Sequence, residues 1–118
     1  MIPYKNRFHG HSSLNYIYTH GRTLRSGLLN MRVIKNTRNE NSRIAVVVGK
    51  KIFKSAVKRN RIRRRVYECI RLNLPQFSGV YDVVFIIHSE ETLTIEYSKL
   101  KSQVDDLLSK AGVIKHHL

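Results

Sequence analysis

The run from Lys50 to Arg65 constrains this chain more than any other stretch. Nine of its sixteen residues are Lys or Arg, and none is acidic. Like charges at that density repel, so a folded protein keeps them only if they stay solvated or lie against something anionic. The apolar residues in and after the run decide between an ordered element and a disordered tail. Ile62, Val66, Cys69 and Ile70 recur at the spacing of one buried helical stripe. On the same wheel Asn60, Arg61, Arg64 and Arg71 project from the far side. The pattern predicts a packed helix with a cationic outer face. Ser55 suits its N-cap, and Pro75 ends it, because proline cannot continue the hydrogen-bond ladder and disfavours helix at Leu74. Arg64 and Glu68 stand four residues apart, the spacing of an exposed ion pair.

The charge is uneven along the chain. Residues 1–67 hold 17 Lys and Arg against one acid, Glu40, for +16, whereas residues 68–118 hold 5 against 7, for −2. An apolar fraction of 42% is ordinary for a globular protein, so the cations sit on a folded scaffold. A length of 118 residues suits one domain with a single core. Nucleic acid is the expected partner of such a patch, with an anionic membrane surface as the other candidate. No apolar run approaches the ~20 residues that span a bilayer, and the opening residues lack the apolar stretch of a signal peptide. Cys69, the single cysteine, lies on the apolar stripe, which predicts a buried structural thiol and suits a reducing cytoplasm.

In chain order, residues 1–11 carry no pattern and are expected to be extended or mobile. Ser12 or Ser13 then caps a short helix with Leu14, Ile17 and Tyr18 on one face and Gly21 as its stop. Tyr4, Phe8, Tyr16 and Tyr18 put aromatic rings among cations, the combination on which unpaired nucleotides stack; Leu14 and Tyr18 suit the core equally well. Residues 22–27 read as a short edge strand. Residues 28–34 read as a strand with Leu29, Met31 and Val33 on one face, and residues 35–42 as an Asn-rich turn. The nearly continuous run 44–48 predicts a central strand covered on both faces. Residues 81–87 predict a second buried strand, and strand, helix, strand suggests a parallel crossover. Thr94 and Glu96 open a last helix whose apolar face is Tyr97, Leu100, Val104, Leu107, Leu108 and Ala111; Gly112 closes it, leaving 113–118 as a tail, extended or mobile. The whole is one α+β sandwich domain, 1–118, with about four strands and three helices.

Nothing in the sequence predicts a protein-borne active site. The eight acids are scattered, and Asp105 and Asp106 read as solubilising residues on the exposed side of the last helix. His9, His11, His20, His88, His116 and His117 lack partners at zinc spacing. There is neither a phosphate-binding Walker loop nor a dinucleotide turn. No catalytic residue, metal ligand or protein-bound cofactor is expected.

Val47-Val48-Gly49-Lys50-Lys51, followed by Ala56-Val57-Lys58-Arg59-Asn60-Arg61-Ile62-Arg63-Arg64, resembles the signature of the bacterial ribonuclease P protein subunit, with Arg59-Asn60-Arg61 as its hallmark. Flanking matches extend the resemblance over roughly residues 6–112: the early helix ending in Gly21, Leu74-Pro75, Tyr81-Asp82-Val83-Val84, and a last helix with paired leucines. It implies an RNA-binding, tRNA-processing role in a cytoplasmic ribonucleoprotein endonuclease. There a catalytic RNA carries the Mg ions and removes the 5′ leader of precursor tRNA. It also implies an uncommon left-handed strand–helix–strand crossover. By the same resemblance Lys50, Lys51, Lys54, Lys58, Arg59, Asn60, Arg61, Arg63, Arg64 and Arg65 contact RNA, and Leu14, Tyr18 and Arg32 line a leader cleft between the first helix and the sheet. The chain departs from the pattern at Leu14 and Arg32, where relatives carry aromatics, and at Gly49, where a small hydroxyl residue is frequent. Two alternatives share the charge and the core. One is a structural ribosomal-type RNA-binding protein; the other, a DNA-binding regulator, is disfavoured because Arg63-Arg64-Arg65 fits phosphates better than base edges.

Overall fold

The computed structural model describes residues 3–8 and 11–115. Its central strand is β4 (Tyr81–Ile87), in which Val83, Val84 and Phe85 are all fully buried because both faces of the sheet are covered there. The chain reaches it through α1 (His11–His20), β1 (Arg22–Ser26), β2 (Leu29–Lys35), β3 (Arg43–Val48) and α2 (Ala56–Asn73), and ends in α3 (Tyr97–Lys110). The sheet order is β1-β2-β4-β3, with β3 parallel to β4 and the other pairs antiparallel. The link from β3 through α2 to β4 is therefore the expected parallel crossover, and three helices on a four-stranded mixed sheet match the α+β expectation.

One sheet face carries Leu29, Met31, Val33, Ile44, Val46, Val48, Val83, Phe85 and Ile87, which join the buried residues of α2 and α3 in one core. That core takes in Ile62, Val66, Cys69 and Ile70, the stripe the periodicity predicts, all fully buried. The opposite face takes α1, whose Ile17 is fully buried. Gly21 stops α1 as expected, donating from its amide to the Ile17 carbonyl at 2.8 Å. The Ser12 and Ser13 side chains lie outside the described set, but the helix starts before both, at His11.

Several boundaries differ from expectation. β3 is an edge strand, not a central one: Ile44, Val46 and Val48 are buried while Ala45 and Val47 are only half-buried. A β-branched run looks the same at the centre and at the edge, and the continuous apolar run concealed a two-sided strand with one face partly open. The segment before α1 is ordered: Tyr4–Asn6 forms a 3-10 turn, the buried Asn6 amide donates to the Ser42 carbonyl at 2.7 Å, and Arg7 bridges to Ile44. Thr94 does not open α3. It closes a 3-10 turn, Glu90–Leu93, capped by Ser89, and the last helix starts at Tyr97, with Glu96 at its N-cap position. Tyr97 is 42% exposed and does not join the apolar face.

The last corrections concern the C-terminal part. Val113 and Ile114 are buried in the core, not a tail, because Gly112 at φ 77° turns the chain back and the Val113 amide reaches the Leu108 carbonyl. Asp105 and Asp106 are half-buried fasteners: Asp105 accepts from the Asn73 amide of α2 at 2.6 Å, and Asp106 from the Ser26 hydroxyl of β1 at 2.7 Å. They tie α3 to its neighbours, a use that an exposed-face reading misses. His9, His116 and His117 lie outside the described residues.

Candidate nucleic-acid interface

After β3 the chain makes a tight turn in which the Ile52 and Phe53 amides return to the Gly49 carbonyl. Ser55 then caps α2 as expected, its hydroxyl accepting from the Lys58 amide at 3.4 Å. Arg59 closes the loop onto the helix, donating to the Phe53 and Lys54 carbonyls at 2.7 and 2.9 Å. The Lys58 ammonium lies 5.8 Å from the Phe53 ring centroid. These contacts hold Lys50, Lys51 and Lys54, all exposed, beside the positive end of the α2 dipole.

Along α2 the arginines divide. Arg61 and Arg64 are exposed and make no side-chain hydrogen bond or ion pair with any described residue. Arg63 is half-buried and donates to the side-chain oxygen of the exposed Asn60 at 2.8 Å. Arg65 turns inward and donates to the Thr92 carbonyl at 2.6 Å and to the Ile95 carbonyl. It fastens the turn before α3 to α2 and is withdrawn from the outer face. Glu68 pairs with Arg71 at 2.6 Å, one turn on, and not with Arg64. That pair lowers the Glu68 carboxyl below its ordinary pKa, chiefly through the hydrogen bond from Arg71. Burial pushes the Cys69 thiol up, as an inert core cysteine requires.

The second predicted surface lies on the other face of the sheet. Tyr18 is 38% exposed and Leu14 half-buried on α1. The register sets Ala45, Val84 and Arg32 in one cross-strand row and Val47, Ile86 and Asn30 in the next. Ala45, Val47 and Ile86 remain half-buried; among the described residues α1 packs chiefly on β2 and β4, while β3 is met by the 3-10 turn Tyr4–Asn6. These three apolar residues were missed by the sequence reading, which took β3 as covered on both sides; their odd-position register opposite Ile44, Val46 and Val48 was the available signal.

Arg32 is tied to the end of α1. Its guanidinium donates to the carbonyls of Ile17, Tyr18 and Gly21 and to the Thr23 hydroxyl, and lies 5.8 Å from the Tyr18 ring centroid. The last carbonyls of a helix have no intrahelical partner and carry its negative end. Arg32 supplies a donor to the Tyr18 carbonyl, adds a second to the Ile17 carbonyl that already accepts the Gly21 amide, and so clamps α1 to β2. Among the described residues no cluster of three or more His, Cys, Asp or Glu is placed to hold a metal ion, and no described helix is long and apolar enough to cross a membrane.

The fold and sequence have counterparts. A family model described as Ribonuclease P matches residues 2–112. A Roseiflexus castenholzii protein named ribonuclease P protein component is 41% identical over 95 residues, 80% of this chain and 76% of that one. The ribonuclease P protein of Thermotoga maritima has a TM-score of 0.78 at 25% identity, covering 88% of this chain and 96% of that one. The Staphylococcus aureus protein has a TM-score of 0.81 over 93% and 98% of the two chains, at 19% identity, which speaks to the fold. Matched across nearly its whole length, with the basic helix and mixed sheet in place, the chain belongs to the ribonuclease P protein family.

Proposed function

We propose that this chain is the protein subunit of a cytoplasmic ribonucleoprotein ribonuclease P, which binds a catalytic RNA and the 5′ leader of precursor tRNA. The observation that carries the reading is the outer face of α2 with its preceding loop. Lys50, Lys51, Lys54, Arg61 and Arg64 are exposed there, and the two arginines have no side-chain partner among the described residues. Five unneutralised cations beside a helix N-terminus match the phosphates of a folded RNA, and each phosphate bound releases counterions. Asn60 contributes from the same face and Lys58 and Arg63 from its flanks, while Arg59 shapes the loop and Arg65 holds the scaffold.

The leader is assigned to the sheet face beside α1. Tyr18 offers a ring to an unpaired base, Leu14 with Ala45, Val47 and Ile86 offers apolar contact, and Arg32 keeps α1 at its distance from the sheet. Hydrolysis belongs to the RNA and its Mg ions; the protein supplies grip and position, with no catalytic residue of its own. Reconstitution tests this. The chain is mixed with its ribonuclease P RNA, and binding and cleavage of precursor tRNA are measured beside binding of mature tRNA. A protein-dependent gain in affinity for the precursor that mature tRNA does not share is the expected result. Equal gains for both would remove the leader assignment, and failure to bind the RNA would remove the whole reading.

A further inference from the structure

α1 has a second side. Ile17 is buried against the sheet, and Tyr16 and Tyr18 flank it in sequence, so they face opposite sides of the helix. On the Tyr16 side a groove of about 420 Å³ opens between α1 and the β2–β3 loop, within the size range of small-ligand sites. Tyr16 is 54% exposed and is stacked on His20, ring centroids 4.1 Å apart. That contact covers one face of the ring and steadies it, and the ring remains exposed on its other side. Ile34 supplies an apolar wall, and Lys35 and Arg38 stand exposed at the rim.

The base of the groove is built and electrically balanced. Asp82, only 3% exposed, is held by Arg43 at 2.6 and 3.0 Å and by the Asn36 amide at 2.9 Å. The Asn36 side-chain oxygen in turn accepts from the backbone amides of Arg38 and Asn39, at 3.0 and 3.2 Å, and so fixes the loop. The one acid in that loop, Glu40, lines a different groove with Lys5 and Arg71. The groove therefore offers an exposed ring, an apolar wall and two exposed cations with no acidic partner among the described residues, on a hydrogen-bonded frame.

We propose that this groove binds one unpaired ribonucleotide, the base stacked on Tyr16 and the phosphate held by Lys35 and Arg38. The site is separate from the leader surface beside Tyr18, and it rests on the RNA-binding reading only for the source of its nucleotide. A phosphate alone would need only the cations, and an apolar ligand only the wall. A nucleotide uses both and also the ring.

The test begins with the full chain in solution, titrated with adenosine 5′-monophosphate and, separately, with inorganic phosphate, and followed by NMR. The nucleotide should move the Tyr16 ring signals and the Arg38 and Asn39 amides; phosphate alone should leave the Tyr16 ring unmoved. Tyr16→Phe should keep the response. Tyr16→Leu should weaken nucleotide binding roughly five- to tenfold, the scale of one base–aromatic stack. A nucleotide response confined to α2, or a Tyr16→Leu variant that binds like the wild type, overturns the site. In the reconstituted holoenzyme, loss of affinity by Tyr16→Leu for precursor tRNA alone identifies the leader as the source. Weaker assembly with the RNA subunit identifies that RNA instead, and no loss in either overturns the proposal. The Arg61→Ala/Arg64→Ala variant is run in parallel. If it loses RNA while Tyr16→Leu does not, the groove fails and the proposed function stands.

Discussion

The outer face of α2 and the α1 side of the sheet both bear arginine, and they use it in opposite ways. On α2, Arg61 and Arg64 are exposed and have no ion-pair partner among the described residues. On the sheet, Arg32 is spent on three carbonyls at the end of α1, and Arg43 on the buried Asp82. The difference follows from what each surface must supply. A helix that is to meet RNA, as proposed for α2, keeps its charges free, since an internal partner would have to be displaced before a phosphate could bind. A sheet face holding one short helix needs fasteners, and a guanidinium can satisfy several carbonyls at once. On the proposed reading, arginine in this chain serves either interface or frame, and its burial and partners separate the two.

Arg65 is the sharpest test of that division, because it belongs to the basic run and yet serves the frame. Arg65→Ala leaves the Thr92 and Ile95 carbonyls without their charged donor. With hydrogen bonds to charged groups worth about 1.5–3 kcal/mol, the expected loss of folding stability is about 3 kcal/mol. Arg64→Ala, one residue away, should stay within about 0.5 kcal/mol of wild type. Urea unfolding of the two variants compares them directly, and equal destabilisation would erase the distinction between frame and interface.

The reverse pattern is expected for RNA. Arg61→Ala/Arg64→Ala should keep its unfolding midpoint but bind ribonuclease P RNA roughly tenfold more weakly, with the log–log salt slope reduced by about 2. Affinity measured across a salt series reads both numbers. An unchanged slope would mean that neither side chain meets a phosphate.

Arg32 should give a smaller effect. Arg32→Ala removes the donors at the end of α1 and should cost about 1 kcal/mol, concentrated in that helix. Amide hydrogen exchange should quicken through α1 while the amides of β4 remain protected. Arg32→Lys should recover only part, because one ammonium cannot reach the same set of acceptors. Precursor tRNA affinity should fall along with α1 order. If affinity falls while α1 exchange is unchanged, Arg32 contacts the leader directly, as the resemblance alone implied.

How far the sequence reached depends on which residue made the decision. Ile62, Val66, Cys69 and Ile70 identified α2, because a helix buried on one side prints its period along the chain. Ser55 marked its start, because capping is local. The helix ends at Asn73, two residues before Pro75. Leu74 nevertheless keeps helical angles and Pro75 sits inside a 3-10 turn, Leu74–Gln76, against the expectation that proline would disfavour helix at Leu74. The edge position of β3 was not legible, since Val46 and Val47 look alike until pairing with β4 selects which one faces the core. Nor were the roles of Arg32 and Arg65, whose acceptors are backbone carbonyls; every residue has one, so no sequence signal marks those that are used. Ile17 to Gly21 lie 11 to 15 residues from Arg32, and Thr92 lies 27 from Arg65. Val113 and Ile114 were lost for a related reason: a tail and a chain turned back by a glycine have the same composition. The Tyr16 groove needed the loop geometry that Asn36 fixes.

The smallest expected effect concerns the far end of the cationic face. Glu68 is the only acid in α2, and by pairing with Arg71 it ends the run of free arginines at Arg64. Arg71 is exposed on the same side, so neutralising Glu68 should return a cation to the interface. Glu68→Gln should therefore steepen the salt dependence of RNA binding by at most about 1, with a small gain in affinity. Acid should act in the same direction. The folded-state pKa of Glu68 lies below its ordinary value, so the pair's contribution to folding is present above the unfolded-state pKa and is lost as pH falls through the folded one. Below that point the carboxyl is neutral and Arg71 is released. An NMR titration of the Glu68 carboxyl should show the lowered midpoint, moving back up in Arg71→Ala. If Glu68→Gln leaves the salt slope unchanged while Arg61→Ala/Arg64→Ala lowers it, the RNA-facing surface stops short of Arg71. If Glu68→Gln steepens it, the interface extends along the whole outer face of α2, and Glu68 sets its present boundary.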